Sequence, residues 1–484
     1  MAKAKKNAAA RKPVAKPAKK KVVAKSAAPK SASSTSARPK SAPDANLLSD
    51  LMKWAKAAGA DAADALYVHG ESISVAQRLG KREKLESSEG RDLGLRVFVG
   101  KRQAFVSSTD FDPGALRILS ERAVDMARAV PEDPVCGLAP EELLARKWPD
   151  LDLDDKRVPS AKTLLALAAE TEEAALSVKG VTNSEGAEAG WGRTSVVLAT
   201  STGFSGGYRR GGYSLSCAVL AGEGTGMERD YEWSSAVHFG DLMAATRVGR
   251  NAGKFAVERL NPKKAVSARL PVVYDRRVSG SLIGHLAGAI NGRAVARGTS
   301  FLKDKMGAQI FAKGIRILDN PLRKRGLGSK PFDAEGLATR RYAAIDDGML
   351  TTWLLDLAAA RQLNLKPTGH ASRGTSGPPG PTTSNFYLEK GALSPDELIA
   401  DIKSGLYITD LIGFGVNGVT GDYSRGASGF WIENGKRAWP VSGITVAGNL
   451  KDMFLAMTPA NDLQFKSSTN APTVRIEGLT IASS

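Results

Sequence analysis

Between residues 93 and 107 the chain carries a hairpin signal that fixes much of what it can become. Leu93, Leu95, Val97 and Val99 alternate strictly with the residues between them, the period-two pattern of a strand with one buried face. Gly100-Lys101 then supplies a two-residue turn into a second strand over 103–107. Only antiparallel neighbours can be joined so tightly. Two earlier runs, 65–69 and the alternation Ile73, Val75, Leu79, add strands to the same sheet. Such a sheet needs apolar cover, and helical stripes stand on either side of it. Leu47, Leu48, Leu51, Met52, Ala55 and Ala58 form one, stopped by Gly59. The other opens on Asp112-Pro113, an N-cap with proline in the first turn, and presents Leu116, Leu119, Ala123, Met126, Ala127 and Val130 before Pro131 and Pro134 end it. Helix, antiparallel strands, helix is an α+β arrangement.

The pattern repeats downstream. A connection rich in proline and acids, 141–159, leads to a helix over 160–177. Strands then alternate over 188–219 with glycines read as turns, Gly203, Gly206-Gly207 and Gly211-Gly212, which predicts an antiparallel meander. A helix over 241–260 carries Gly249 and Gly253, four apart, which admit the close approach of a neighbour, and Asn261-Pro262 ends it. From about 265 the signals are mostly β: 315–318, 342–345 and 350–355, with Asp347-Gly348 as a hairpin turn. The run 369–383, rich in Gly, Pro, Ser and Thr, reads as a long surface loop of the kind that carries binding. Ser394-Pro395-Asp396-Glu397 is a capping box that opens a short helix. The expected organisation is a tail over 1–43, α+β domains over 44–150 and 151–264, and a largely β C-terminal domain over 265–484. In fold class this is a multi-domain α+β chain of antiparallel sheets with flanking helices.

Charge divides unevenly along these 484 residues. Thirteen Lys and Arg and no acid lie within 1–43, so of the net +18 only +5 belongs to the rest. That tail has almost no large apolar residue, predicts disorder, and suits nonspecific contact with a polyanion. No stretch approaches 18 uninterrupted apolar residues, which predicts no membrane span, and the N-terminus lacks the apolar core of a signal peptide. Cys136 and Cys217, isolated in so long a chain, read as buried thiols in a reducing cytoplasm.

Several patterns mimic sites. Gly413-Phe-Gly415-Val-Asn-Gly418 satisfies a dinucleotide fingerprint, but Val419-Thr-Gly421 follows where a helix must start. Gly222-x-Gly224-x-Gly226 lacks the lysine of a phosphate loop. Ser300 and Lys303 have the spacing of an acyl-enzyme pair without the strand-turn-helix elbow of the α/β hydrolases. Tyr208-Arg209-Arg210 with Tyr213 reads as a strand face rather than a stacking platform for nucleic acid. The four histidines, His69, His238, His285 and His370, stand more than 40 positions apart, so none has a neighbour at ligand spacing.

The run S-L-I-G-H-L-A-G-A-I-N-G-R-A-V-A-R-G-T-S, 281–300, follows a strand-like segment, 270–274, and places Leu282, Ile283, Leu286 and Ile290 on one helical face. With the following Phe301-Leu302 it resembles the TldD/PmbA family, and within it the PmbA (TldE) branch. The runs E-S-S-E-G-R-D-L-G-L-R-V-F-V-G-K-R (86–102), G-D-Y-S-R-G-A-S-G-F-W-I-E-N-G (421–435) and I-T-V-A-G-N-L-K-D-M (444–453) carry the same likeness. In the metal-bearing TldD branch the equivalent helix holds H-E-x-x-x-H. The resemblance places that motif on Ile283, Gly284 and Gly288, and the branch's cysteine ligand near Ser467-Ser468. Zinc needs neutral imidazoles and water activation needs a carboxylate, and these residues offer neither. The resemblance therefore implies a chain with no catalytic, cofactor-binding or metal-ligating residue of its own, inactive when alone. It would act with a TldD-like, zinc-bearing partner in a heterodimeric metallopeptidase that degrades unfolded or flexible peptides, which strand addition to a β-rich lining would suit. The alternative it suggests is an interaction protein that modulates DNA gyrase or other nucleic-acid machinery.

Overall fold

A computed structural model describes residues 45–483; the tail expectation lies outside them. The first hairpin is built as its pattern predicts, Val99 pairing with Arg102 across Gly100-Lys101. It belongs to a six-stranded antiparallel sheet: β1 (Ala62–Arg78), β2 (Lys81–Val99), β3 (Arg102–Ser108), β4 (Val181–Thr200), β5 (Ser205–Ala221) and β6 (Glu228–Ala236), in the order β3-β2-β1-β4-β5-β6. β1 joins the strand signals 65–69 and Ile73 with Val75 into one strand, because Gly70 keeps its register opposite Gly90 and Thr194; Leu79 instead falls in the turn to β2, exposed and with φ 48°. β2 begins in the polar run Lys81–Arg91, which no apolar alternation marks. It is exposed on both faces there and held by its neighbour's backbone. Gly206, Gly207, Gly211 and Gly212 are not turns but lie inside β5. A Cβ at Gly206 would meet the Trp148 ring at 2.7 Å, so there the missing side chain lets a tryptophan cover the sheet.

Four helices supply the apolar cover. Helices α1 (Ala45–Ala57) and α2 (Pro113–Ala129) bury Leu48, Leu51, Leu116 and Val124 against Tyr67, Leu93, Leu95 and Val97. Asp112 caps α2 by accepting from the Ala115 amide at 3.0 Å, as its sequence predicts. Helices α3 (Ala161–Leu176) and α4 (Ala245–Glu258) cover the other half through Leu164, Ala168, Val248 and Ala252. These two helices pack backbone to backbone at Gly249 and Gly253, where a Cβ would meet the Thr171 carbonyl oxygen at 2.0 Å and the Val178 Cγ2 at 2.8 Å.

The C-terminal part pairs five strands in a closed ring: β7 (Ala268–Tyr274), Ser404–Ile412, Asp422–Glu433, Lys436–Asn449 and Val474–Ser483, the last two strands pairing with each other. A smaller five-stranded sheet lies alongside, with Thr469–Asn470 at one edge, and the two share one large core with helix α5 (Arg276–Ala289). The 369–383 run is not a free surface loop. Arg373 is buried in a 2.6 Å ion pair with Asp64 of β1, and Asp64 also accepts from Arg96 at 2.8 Å. Burial alone would raise the Asp64 carboxyl, but Arg373 and Arg96 hold it below the usual carboxylate range. No helix among the described residues is long and apolar enough to cross a membrane.

Candidate functional site

The predicted helix over 281–300 is two helices. The first, α5, starts at Arg276 because Asp275 caps it, accepting from the Arg277 amide at 2.9 Å. Asp275 is itself fixed by the Tyr407 hydroxyl, which donates to it at 2.8 Å. α5 ends at Ala289, and Asn291 caps a short second helix, Gly292–Ala296. Leu282, Ile283, Leu286 and Ala289 form the buried stripe that anchors α5 in the core.

The three positions of the expected motif divide between two environments. Ile283 is fully buried. Gly284 and Gly288, one turn apart on the opposite side, are exposed, and a Cβ at either would meet nothing within 4 Å. One turn before them, a Cβ at Gly280 would meet the Thr469 carbonyl at 3.3 Å, so the strand that follows Ser467-Ser468 runs beside the start of this glycine face. The Ser467 hydroxyl is committed to the Thr469 carbonyl at 2.5 Å. The donor set does not fit zinc. Isoleucine and glycine present no side-chain lone pair, and among the described residues no group of three or more His, Cys, Asp or Glu is gathered to hold a metal ion.

Each histidine has its own setting. His69 meets Glu89 at 3.1 Å, His238 contacts the Asp152 carbonyl at 3.0 Å, and buried His370 contacts Thr368 at 2.8 Å. His285, on α5, lies edge-on to Tyr423 with ring centroids 6.1 Å apart. Burial, with the Arg425 charge beside it, pushes its imidazole below the ordinary value, and its Nε2 has no hydrogen-bond partner among the described residues. The other motif-like patterns resolve structurally. Ser300 is buried and donates to the Ala289 carbonyl at 2.6 Å. The Gly413–Gly418 run is a strand-to-strand loop in which a Cβ at Gly415 would strike the Ser424 carbonyl at 1.8 Å. Tyr208 packs edge-on to Phe332 with centroids 5.4 Å apart, and Arg210 donates to the Leu327 carbonyl.

Sequence reasoning assigned nothing to Tyr274, Tyr423 and Arg425, which the fold brings to His285. The two tyrosines are buried and their hydroxyls find no partner other than each other, while Arg425 Nε has no hydrogen-bond partner among the described residues. Their only signal in sequence was that Tyr423 and Arg425 fall within the family-like run 421–435.

Comparison with known proteins follows the same outline. Residues 63–127, 147–260 and 267–483 match the models for domain 1, the central domain and the C-terminal domain of the PmbA/TldA metallopeptidases. The metalloprotease PmbA of Escherichia coli O157:H7 is 39% identical over 424 residues, which is 87% of this chain and 92% of that protein. A solved structure from Bacteroides thetaiotaomicron, described as a proposed modulator of DNA gyrase, superposes with a TM-score of 0.84 at 28% identity over 91% of this chain and 98% of that one. TldE from Thermococcus kodakarensis shares the fold, with a TM-score of 0.81 at 18% identity over 90% of this chain and all of that one.

Proposed function

Since this chain belongs to the PmbA/TldD metallopeptidase family, we propose that it is the PmbA (TldE)-type subunit of a two-chain peptidase. It shapes the passage for an unfolded or flexible peptide, while zinc and the general base stand in a TldD-like partner. The observation that carries this reading is the open glycine face at Gly284 and Gly288, where the metal-bearing branch holds its glutamate and second histidine. With no side chain projecting there, an extended backbone can approach the helix more closely than at any other residue type. The Thr469–Asn470 edge strand near the same helix suits pairing with an extended chain.

The test is co-expression with a TldD-like chain and peptidase assay of each chain alone and of both together, with zinc measured per chain. The expected result is turnover of an unfolded peptide by the pair, and zinc that copurifies with the partner only. Stoichiometric zinc and turnover by this polypeptide alone would overturn the reading.

A further inference from the structure

Helix α5 and the closed strand ring enclose a group of polar atoms that the fold leaves without partners outside the group. Tyr274 ends β7 and is 0% exposed; Tyr423 and Arg425 occupy alternate positions on one face of Asp422–Glu433, Tyr423 being 2% exposed. Arg425 Nε and His285 Nε2 are buried atoms without a hydrogen-bond partner among the described residues, and the buried Tyr274 and Tyr423 hydroxyls find no partner other than each other. Each buried polar group left unpaired costs about 1–3 kcal/mol, so Arg425 Nε and His285 Nε2, gathered with two hydroxyls that have only each other, mark a place where something else binds. The Arg425 charge acts on all three neighbours. Burial keeps both phenols protonated and the imidazole neutral, which leaves Arg425 as the charge of the group. One cation with three neutral hydrogen-bonding groups matches a monoanion such as a carboxylate, and is too little positive charge for a phosphate dianion. Arg425 and His285 are only half-buried, whereas the tyrosines are deep, so the group has a mouth and a floor. His285 is next to Gly284 in sequence, which puts the mouth against the open face of the helix.

We propose that Tyr274, His285, Tyr423 and Arg425 form a carboxylate-binding site that anchors a peptide lying along the glycine face of α5. The proposal rests on the peptide-handling reading above and adds to it a chemical end-point: the guanidinium and the tyrosine hydroxyls grip a carboxylate oxygen while the peptide backbone crosses Gly284 and Gly288. Either the peptide's C-terminus or an Asp or Glu side chain supplies that group.

The experiment is calorimetric titration of the full chain, alone and copurified with a TldD-like partner, with three versions of one unstructured twelve-residue peptide. One ends in a free carboxylate, one in an amide, and the third has the amide end and an added Glu. Binding of either carboxylate-bearing peptide at least about tenfold tighter than the plain amide, the worth of a hydrogen-bonded charge, supports the site, and the favoured peptide identifies the source. Arg425→Gln is expected to erase that preference, and Tyr423→Phe, which removes a hydroxyl the fold leaves poorly satisfied, to reduce it without lowering the melting midpoint. Arg425→Lys, which keeps the charge, guards against a folding defect and retains part of the preference. Equal binding of all three peptides, or a preference that survives Arg425→Gln, overturns the site while leaving the peptide reading intact. No binding of any peptide to either preparation defeats both.

Discussion

Gly249 and Gly284 both sit inside helices, and alanine at the two positions should shift stability in opposite directions. Alanine is favoured over glycine in a helix interior by about 1 kcal/mol, so on propensity alone both changes are improvements. At Gly284 nothing lies within 4 Å of the added methyl, and the full gain of about 1 kcal/mol should be realised. At Gly249 the methyl would stand 2.0 Å from the Thr171 carbonyl oxygen, 2.9 Å from the Ala175 nitrogen and 3.0 Å from the Ala174 Cβ. Backbone atoms of α3 cannot rotate away, so the helix has to retreat by more than 1 Å. Overpacking of this kind costs about 1–3 kcal/mol and outweighs the propensity gain. The two variants should therefore bracket the parent protein, separated by the overpacking cost of roughly 1–3 kcal/mol. Urea midpoints read in parallel by circular dichroism and tryptophan fluorescence measure this without assuming a single transition for so large a chain. A lowered midpoint for Gly284→Ala would mean that the glycine face is covered, and would remove the observation on which the functional proposal stands. A raised midpoint for Gly249→Ala would show that the α3–α4 contact is not close-packed.

Two further outcomes follow from buried carboxylates. Glu335 is pushed up to about 8 by burial and by neighbouring Asp333, so it holds a proton that the unfolded chain releases above about pH 4.3. Its contribution is complete below that pH and is lost as pH rises towards 8; Glu335→Gln, which mimics the protonated form, should gain on the parent between pH 5 and pH 8 and level off above. Parallel urea midpoints for the two proteins across that range would refute this. Glu172 has the opposite sign: burial alone would raise it, but donation from Ser184, Gly80, Leu79 and Gln77 holds it below its ordinary value. Its stabilisation is present above about pH 4.3 and fades as pH falls through the lower folded value. Glu172→Ala would strip acceptors from the Leu79 and Gly80 amides at 2.7 and 3.0 Å, and should cost about 2–4 kcal/mol at pH 7, with a gap that narrows in acid; a cost under 1 kcal/mol would refute this role of Glu172.

What could be read from sequence was whatever a short-range rule governs. The Gly100-Lys101 and Asp347-Gly348 turns, the Asp112 cap and the Ser394 capping box are local bargains between a side chain and nearby backbone, and each stands where its residues put it. The polar half of β2 and the glycines inside β5 escaped although their partners sit just across a hairpin, residues 81–91 pairing with β1 and 206–212 with β4, because these strands are held by a neighbour's backbone and nothing in their own composition records it. The strap at 369–383 was misread for a related reason: Arg373 looks solvated until Asp64, more than 300 positions earlier, is placed beside it. At the site, the sequence located Ile283, Gly284 and Gly288 on one helix but not that Ile283 turns inward while the glycines face out. The Tyr274, Tyr423 and Arg425 group was invisible because its members sit on strands from opposite ends of the C-terminal part.

The long ladder between β1 and β4, from Asp64 opposite Thr200 to Gln77 opposite Ala187, constrains how such a protein can be cut or recombined. The first two matched regions of the chain are one fabric, woven along a shared selvedge. A protease that severs the linker between them should nick the molecule without releasing a fragment under native conditions. Grafting the first region of one relative onto the central region of another would require the two central strands, β1 and β4, to match in register. An exchange of either part alone cuts through this ladder, so the shared sheet, rather than either half of it, is the unit that can be moved without breaking strand pairing.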